Sequence, residues 1–192
     1  MKIGVLALQG DFIEHIAVLR RLGVDTTEVR LPEQLQVVDG LIIPGGESTT
    51  FAKLAVGYGL IEPLREFGRR KPVWGTCAGA IFLSKDIHRE QPLLNMMDIT
   101  IERNAFGRQI ASFEVDIEVP ALTRVDGSGH FFHAVFIRAP LIEAVHGKAV
   151  ALATLPDGRI VAAQEGCLLA TSFHPELTND DRFHRYFLQL AG

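Results

Sequence analysis

Buried strands and amphipathic helices alternate through the first 83 residues, and this alternation constrains the fold more than any other feature. Apolar or β-branched runs predict strands at residues 3–8, 26–29, 37–43 and 72–74. Helical periodicity follows at residues 11–22, where Asp11 is a candidate N-cap and Gly23 a stop, and again at residues 48–70. We therefore predict a three-layer α/β fold, with a mostly parallel central sheet between helices and with chemistry at the carboxyl ends of its strands.

The second half of the chain contains strands that follow one another without helices. The predicted strands cover residues 98–102, 112–119, 135–137, 149–155 and 160–165. A hairpin turn is expected at Pro156-Asp157-Gly158, and residues 126–130 have the composition of a flexible surface loop. We expect a β-rich antiparallel section here, before residues 168–173 return to the main sheet and an amphipathic helix closes the chain.

Length and charge limit the classes of function. The chain has 192 residues, 47% of them hydrophobic, which suits one α/β domain over residues 1–192. The net charge is −4 and no long basic run occurs, so we expect neither a nucleic-acid partner nor binding to a membrane surface. Small molecules and protein partners fit this composition better.

The two cysteines, Cys77 and Cys167, do not make a disulfide framework. The apolar start, residues 1–8, is far too short to span a membrane and does not resemble a cleaved signal. We expect a cytoplasmic protein.

The sequence Gly75-Thr76-Cys77-Ala78-Gly79 joins a short apolar run to a helix-compatible segment. G-x-C-x-G is the thiol counterpart of the G-x-S-x-G nucleophile elbow, in which the flanking glycines leave room for a tight strand-to-helix turn. A thiol at the start of a helix meets a partial positive charge that favours the thiolate. The alternative is a buried cysteine beside a glycine-rich turn.

A thiol nucleophile needs a base, and the base needs an orienting group. Of the seven histidines, His174 alone directly follows a buried strand, and Glu176 lies two residues beyond it across the rigid Pro175. For the other six, exposure or ordinary packing is the better interpretation: His15, His88, His130, His133, His146 and His184. We predict a triad of Cys77, His174 and Glu176.

Acyl transfer also needs donors for a developing oxyanion. The loop at residues 44–48 (Pro-Gly-Gly-Glu-Ser) ends a neighbouring strand, and the backbone amides of Gly46 and Ala78 are our candidates. The loop lacks the lysine and spacing of a phosphate-binding loop. Arg103 and Arg138 stand near strand ends, where they could bind the carboxylate of a small amino acid or form surface salt bridges. The spacing of cysteines and histidines indicates no metal site, and no cofactor is expected.

These motifs together resemble one family of class I, triad-type glutamine amidotransferases, the glutaminase subunits of pyridoxal phosphate synthase. The resemblance runs nearly end to end and rests on six blocks: residues 6–10 followed by Glu14-His15, and residues 44–50, 74–79, 103–109, 136–140 and 173–177. The G-x-C-x-G and His-Pro-Glu motifs are shared by many triad amidotransferases. Residues 103–109 (Arg-Asn-Ala-Phe-Gly-Arg-Gln) and 136–140 (Phe-Ile-Arg-Ala-Pro) indicate this family. Residues 122–133 look longer than the family pattern.

The resemblance implies that Cys77 is the nucleophile, His174 the general base and acid, and Glu176 its orienting group. It also implies a set of residues that holds L-glutamine: Gly46, Glu47, Ser48, Arg103, Ile137 and Arg138. The family delivers ammonia for pyridoxal 5'-phosphate synthesis to a larger, barrel-shaped synthase subunit, with which it forms a large hetero-oligomeric ring complex. Three alternatives remain: an amidotransferase that serves another synthase, a stand-alone cysteine hydrolase, and an inactive scaffold that binds a partner.

Overall fold

One large mixed sheet forms the centre of the computed structural model, which describes residues 1–103, 112–127, 129 and 131–192. The first half contains β1 (Lys2–Leu6), α1 (Phe12–Arg21), β2 (Asp25–Val29), β3 (Gly40–Ile43), α2 (Ser48–Gly57), α3 (Ile61–Gly68), β4 (Val73–Thr76) and α4 (Ala78–Leu83). The second half contains β5 (Ser84–Asp86), β6 (Met97–Glu102), β7 (Ser112–Glu118), α5 (Thr123–Asp126), β8 (Phe131–Ile137), β9 (Leu141–Val145), β10 (Val150–Thr154), β11 (Ile160–Glu165), β12 (Leu168–Thr171) and α6 (Arg182–Ala191). Short 3-10 helices cover Pro32–Val37, Pro120–Leu122 and Pro175–Leu177.

The strand order in the large sheet is β2-β1-β3-β4-β12-β11-β9-β6-β5, and β10 pairs with β11 outside this path. Every pair of adjacent strands in the part β2-β1-β3-β4-β12 is parallel. Antiparallel pairing begins where β11 joins β12 and continues through β9 to β6. The predicted α/β sheet with an antiparallel section is confirmed, because strands β11, β9 and β6 of the second half extend the parallel sheet with antiparallel pairs.

Two hydrophobic cores cover the two faces of this sheet. Leu41 and Ile43 of β3 belong to one core with residues of α2, α3 and α4, whereas Ile42 belongs to the other with Trp74 and residues of α1 and α6. Successive strand residues point to opposite faces, so this division places helices on both sides. The three-layer arrangement is confirmed.

The structure differs from the sequence prediction in several boundaries. The strand expected at residues 37–43 begins only at Gly40, and Val37 belongs to the 3-10 helix Pro32–Val37. The strands β5 and β9 were not predicted at all. Within the expected loop at residues 126–130, Gly127 has a left-handed backbone, and Ser128 and His130 lie outside the described residues. No helix in the described part of the chain is long and apolar enough to cross a membrane.

The strands β7 and β8 form a separate two-stranded antiparallel sheet. Stacked rings of Phe113 and Phe136, 4.5 Å apart, link the two strands. The backbone N–H of His174 donates a 2.9 Å hydrogen bond to the carbonyl of Val135 in β8. This small sheet is thereby tied to the segment that follows β12, at the carboxyl edge of the parallel strands.

Candidate active site

Cys77 lies at a sharp turn between β4 and α4. Its backbone has φ 49° and ψ −104°, a conformation that non-glycine residues rarely adopt, and its N–H donates to the carbonyl of Thr171 over 2.8 Å. A Cβ atom at Gly75 would overlap the backbone of Gly79, and one at Gly79 would overlap the backbone of Ile43. Both glycines of the motif are therefore required by close backbone packing, as the sequence analysis expected.

His174 reaches Cys77 because β4 and β12 are adjacent parallel strands that end together, with Thr76 paired to Thr171. Glu176 Oε1 lies 2.7 Å from His174 Nδ1, which leaves Nε2 as the ring nitrogen available to the thiol. Burial opposes protonation of His174, but hydrogen bonds to Cys77 and Glu176 outweigh it and raise its pKa to about 10.

Glu176 is buried beneath the ring of His174, and burial raises the pKa of its carboxyl group. Pro175 separates the two residues, and both lie at the start of the Pro175–Leu177 turn. The hydrogen bond to Nδ1 holds the imidazole with its other nitrogen towards Cys77. The three predicted triad residues are thus brought together from the ends of two neighbouring strands.

A cavity of about 460 Å³ opens in front of Cys77 and His174. Nine of the ten predicted site residues line this cavity. The tenth, Glu176, lies behind His174 and is not part of the cavity wall. The predicted residues in its wall are Gly46, Glu47, Ser48, Cys77, Ala78, Arg103, Ile137, Arg138 and His174. The remaining wall residues are Asp11, Ile81, Pro140 and Leu177. This volume suits a ligand of amino-acid size.

The loop that contains Gly46 is held by the preceding β1–α1 loop. The side-chain amide of Gln9 brackets the backbone of Glu47, donating to its carbonyl over 3.2 Å and accepting from its N–H over 3.4 Å. Gly46 has φ 145°, and a Cβ there would overlap the Gln9 amide. Across the cavity, Ala78 is the first residue of α4, so its N–H has no acceptor within the helix.

Glu47 is the N-cap of α2, a role the sequence analysis did not assign. Its carboxylate accepts from the Thr49 hydroxyl and from the N–H groups of Thr49 and Thr50, and these bonds, led by that from the hydroxyl, lower its pKa to about 2. Arg103 lies 3.4 Å from the same carboxylate and also donates to Gln91 over 3.2 Å. A fixed negative charge and a fixed positive charge therefore stand side by side in the cavity wall.

Ser48 adds a buried hydroxyl to this wall, and its Oγ has no hydrogen-bond partner within the described residues. On the opposite side, β8 ends at Ile137, and Arg138 follows with φ 43°. The block at residues 103–109 is described only at Arg103, and its other residues lie outside the described part of the chain.

A family model supports what the geometry indicates. The model of the SNO glutamine amidotransferase family matches residues 5–191, nearly the whole chain. This chain belongs to the SNO glutamine amidotransferase family.

The curated relatives of this family member match over their full length. The chain is 57% identical over 195 residues to the pyridoxal 5'-phosphate synthase subunit PdxT of Herpetosiphon aurantiacus, covering 99% of this chain and 100% of the relative. It is 54% identical over 194 residues to the subunit of the same name from Moorella thermoacetica, covering 100% of both.

Solved structures agree with the family assignment. A crystal structure described as a glutamine amidotransferase has a TM-score of 0.91 and 49% sequence identity, covering 99% of this chain and 98% of that one. A structure of PurLQS from Thermotoga maritima has a TM-score of 0.70 at 15% identity, over 99% and 96% of the two chains. The second match shows the shared fold alone.

Asp11 has a position that the sequence analysis did not foresee. It is the N-cap residue of α1, as expected, but its side chain makes no capping hydrogen bond. Its Oδ2 instead lies 3.5 Å from Nδ1 of His174. Asp11, His174 and Glu176 are the only group in the described part of the chain with ligand atoms close enough to hold a metal ion. A metal there would compete with the hydrogen bond between His174 and Glu176.

Two further histidines were assigned no role from the sequence. His15 in α1 and His184 in α6 are both completely buried, and Nδ1 of His15 lies 3.0 Å from Nε2 of His184. Burial lowers the pKa of His184 to about 3, and burial together with the nearby histidines lowers the pKa of His15 well below its ordinary value. The resemblance block that contains Glu14-His15 was the one available signal.

The buried histidines predict that the protein is sensitive to acid. In the unfolded chain His184 binds a proton below its ordinary pKa of 6.5, whereas in the folded chain it binds one only near pH 3. The free energy of unfolding is therefore largest above pH 6.5 and decreases as the pH falls from 6.5 to about 3. We expect His184→Gln to reduce the slope of unfolding free energy against pH by about 1.4 kcal/mol per unit, one proton's worth. Urea unfolding of both proteins between pH 6.5 and 4.5 measures this, and equal slopes would contradict it.

Proposed function

We propose that this chain hydrolyses L-glutamine to L-glutamate and ammonia, and that the ammonia is used by a partner subunit to make pyridoxal 5'-phosphate. The observation that carries the proposal is the presence of Cys77 and His174 together in the wall of a cavity of amino-acid size, with Glu176 hydrogen-bonded to His174 from behind. The names of the full-length relatives, which are subunits of pyridoxal 5'-phosphate synthase, support the use of the ammonia.

The reaction is a thiol acyl transfer in two stages. The Cys77 sulfur attacks the carboxamide carbon of glutamine, and the proton held by His174 passes to the leaving nitrogen, so that ammonia departs and a thioester remains. His174 then takes a proton from water, which attacks the thioester and releases glutamate and the thiol. The carboxylate of Glu176 stabilises the imidazolium through Nδ1. These side chains supply every proton transfer, so no cofactor is needed.

The cavity wall offers groups for both ends of glutamine. The N–H groups of Gly46 and Ala78 are the proposed oxyanion donors, each worth about 3 kcal/mol in the transition state. At the other end, glutamine carries a carboxylate and an ammonium group. Arg103 and Arg138 supply positive charge, and Glu47 supplies a negative charge. Ser48 and Ile137 complete the proposed glutamine-binding set.

The chemistry of the ammonia product supports a partner subunit. Ammonia released into neutral water becomes ammonium, which is not a nucleophile, so it has to pass to its acceptor by a covered route. We therefore propose that the chain, a single amidotransferase domain over residues 1–192, acts in a hetero-oligomeric ring complex with a barrel-shaped synthase subunit. We also propose a cytoplasmic location, where a reducing environment keeps Cys77 as a thiol.

The direct test is to assay the purified chain with and without a pyridoxal 5'-phosphate synthase subunit. We expect glutamate to form from glutamine, and pyridoxal 5'-phosphate to form from glutamine only when both subunits are present. An ammonium salt added at high pH should support pyridoxal 5'-phosphate formation by the synthase subunit in the absence of both glutamine and this chain. Glutamate without pyridoxal 5'-phosphate would indicate service to another synthase or a stand-alone hydrolase, and binding without any glutamate would indicate an inactive scaffold.

A further inference from the structure

A chain of buried polar groups continues behind the triad. His15 Nε2 lies 3.3 Å from Oε2 of Glu176 and 3.2 Å from the hydroxyl of Thr76. Its other nitrogen, Nδ1, lies 3.0 Å from Nε2 of His184. His15, His184 and Thr76 are all completely buried. The imidazole rings are therefore placed end to end from Glu176 into the core between α1 and α6.

Among the side chains of Glu176, His15, His184 and Thr76, two buried atoms have no hydrogen bond of standard geometry within the described residues: Oε2 of Glu176 and Nδ1 of His184. The unpaired nitrogen decides where the protons are. If Nδ1 of His184 carried a proton, a buried N–H would be left without an acceptor, which is rarer and more costly than an unpaired acceptor. The proton of His184 therefore belongs on Nε2, from which it is donated to Nδ1 of His15.

This assignment fixes the second ring as well. A neutral imidazole has one N–H, and Nδ1 of His15 is an acceptor, so the proton of His15 lies on Nε2. Nε2 is the nitrogen that faces Glu176 Oε2 and Thr76. The opposite tautomer would turn a lone pair towards the carboxylate. The ring N–H groups of His184 and His15 thus both point towards Glu176.

We propose that His15 is a positioning residue of the triad, which donates its Nε2–H to Glu176 and is held in this tautomer by His184. The proposal rests on the proposed function for its catalytic meaning, but its proton positions do not. Glu176 then accepts from His174 through Oε1, while the Nε2–H of His15, shared between the Thr76 hydroxyl and the carboxylate, lies 3.3 Å from Oε2. A carboxylate that is contacted at both oxygens keeps His174 aimed at Cys77.

The surroundings keep both histidines neutral and their rings in place. Their lowered pKa values mean that neither ring becomes a buried cation near neutral pH. Trp74 packs edge-on against both, with ring centres 5.5 Å from His15 and 4.9 Å from His184. A donor to the charged carboxylate also favours ionised Glu176 and so opposes the effect of burial on its pKa.

The first test reads the tautomers directly. Imidazole nitrogen chemical shifts of the wild-type chain, assigned with His15→Gln and His184→Gln, should show both rings neutral with the proton on Nε2. A proton on Nδ1 of either ring, or a charged ring at pH 7, would overturn the proposal. This measurement needs no turnover, so it stands even if glutamine is not the substrate.

The second test separates positioning from packing. Gln places an amide N–H near the Nε2 position of His, whereas Leu fills the space without a donor. We expect His15→Leu to lower kcat for glutamine hydrolysis about tenfold to a hundredfold with little change in KM, and His15→Gln to stay within about threefold of wild type. The exposed His88, changed to Leu and Gln, is the matched control. Equal loss in both His15 variants at equal Tm would refute a donor role.

The pH profile is a third readout, because loss of packing does not move it. The titratable groups that face Glu176 and His174 are Asp11, His15 and Cys77. Without the His15 donor the pKa of Glu176 rises further, so the acid limb of kcat/KM should move to higher pH in His15→Leu and in His184→Leu, but not in the two Gln variants. If the acid limb of kcat/KM stays at the same pH in His15→Leu, the proposal is contradicted.

The variant Glu176→Gln shows how much activity is lost when the triad carboxylate is removed altogether. A wild-type chain without glutaminase activity would instead refute the proposed function.

Discussion

Replacement of Cys77 by Ala is expected to lower glutamine hydrolysis about 10⁴-fold or more and to leave the fold intact. Without the sulfur no thioester forms, and His174 has no nucleophile to serve. Ala keeps the Cβ atom and is small enough for the turn, so the strained backbone at φ 49° should be unchanged. Glutamate release measures the activity, and thermal unfolding measures the stability.

Cys167 provides the matched control for this experiment. It is half-buried in the turn between β11 and β12 and does not line the cavity. Cys167→Ala should keep nearly full activity, and iodoacetamide should inactivate this variant as fast as wild type, with protection by glutamine. Substantial turnover in Cys77→Ala, or loss of activity in Cys167→Ala alone, would remove Cys77 from the mechanism.

Replacement of Gly79 by Ala is expected to destabilise the protein by about 3 kcal/mol, which lowers Tm by roughly 6–12 °C for a chain of this length. The added Cβ would overlap the carbonyl group of Ile43, and backbone atoms in the centre of a sheet cannot move aside as a flexible side chain can. The turn would have to shift, so glutaminase activity should fall as well.

Gly57 is the comparison for Gly79. It ends α2, and no atom lies within 4 Å of a Cβ placed there. Gly57→Ala should be neutral or stabilising by up to about 1 kcal/mol, since Ala is the better helix former. If both variants were equally stable in thermal unfolding, the tight packing of the elbow would not be a requirement of the fold.

Most of the fold could be predicted because its signals are local. Apolar runs and helical spacing located the parallel half, and residues 160–165 were predicted with the bounds of β11. The exceptions have physical reasons. Strand β5 has three residues, of which Lys85 and Asp86 are exposed, so it carries no apolar pattern. The 3-10 helix Pro32–Val37, which proline at its first position favours, includes Val37, the first residue of the expected strand at 37–43.

The site could be predicted only where neighbours in sequence share a motif. The cysteine elbow and the His-Pro-Glu turn are such motifs, and nine predicted residues meet at one cavity. The positions of Asp11 and the buried pair His15 and His184 depend on how α1 and α6 pack beneath the sheet, which no short motif records. The capping role of Glu47 was likewise hidden, since glutamate is not a preferred N-cap residue.

The place of β12 within the sheet has a consequence for how the protein is made. This strand comes near the end of the chain, yet it lies between β4 and β11, and the bond from Trp74 to Thr171 joins residues 97 positions apart. Contacts of such long range form slowly, after the local ones. On the ribosome the sulfur of Cys77 therefore emerges well before its base, and the enzyme becomes reactive only when the last strand has inserted.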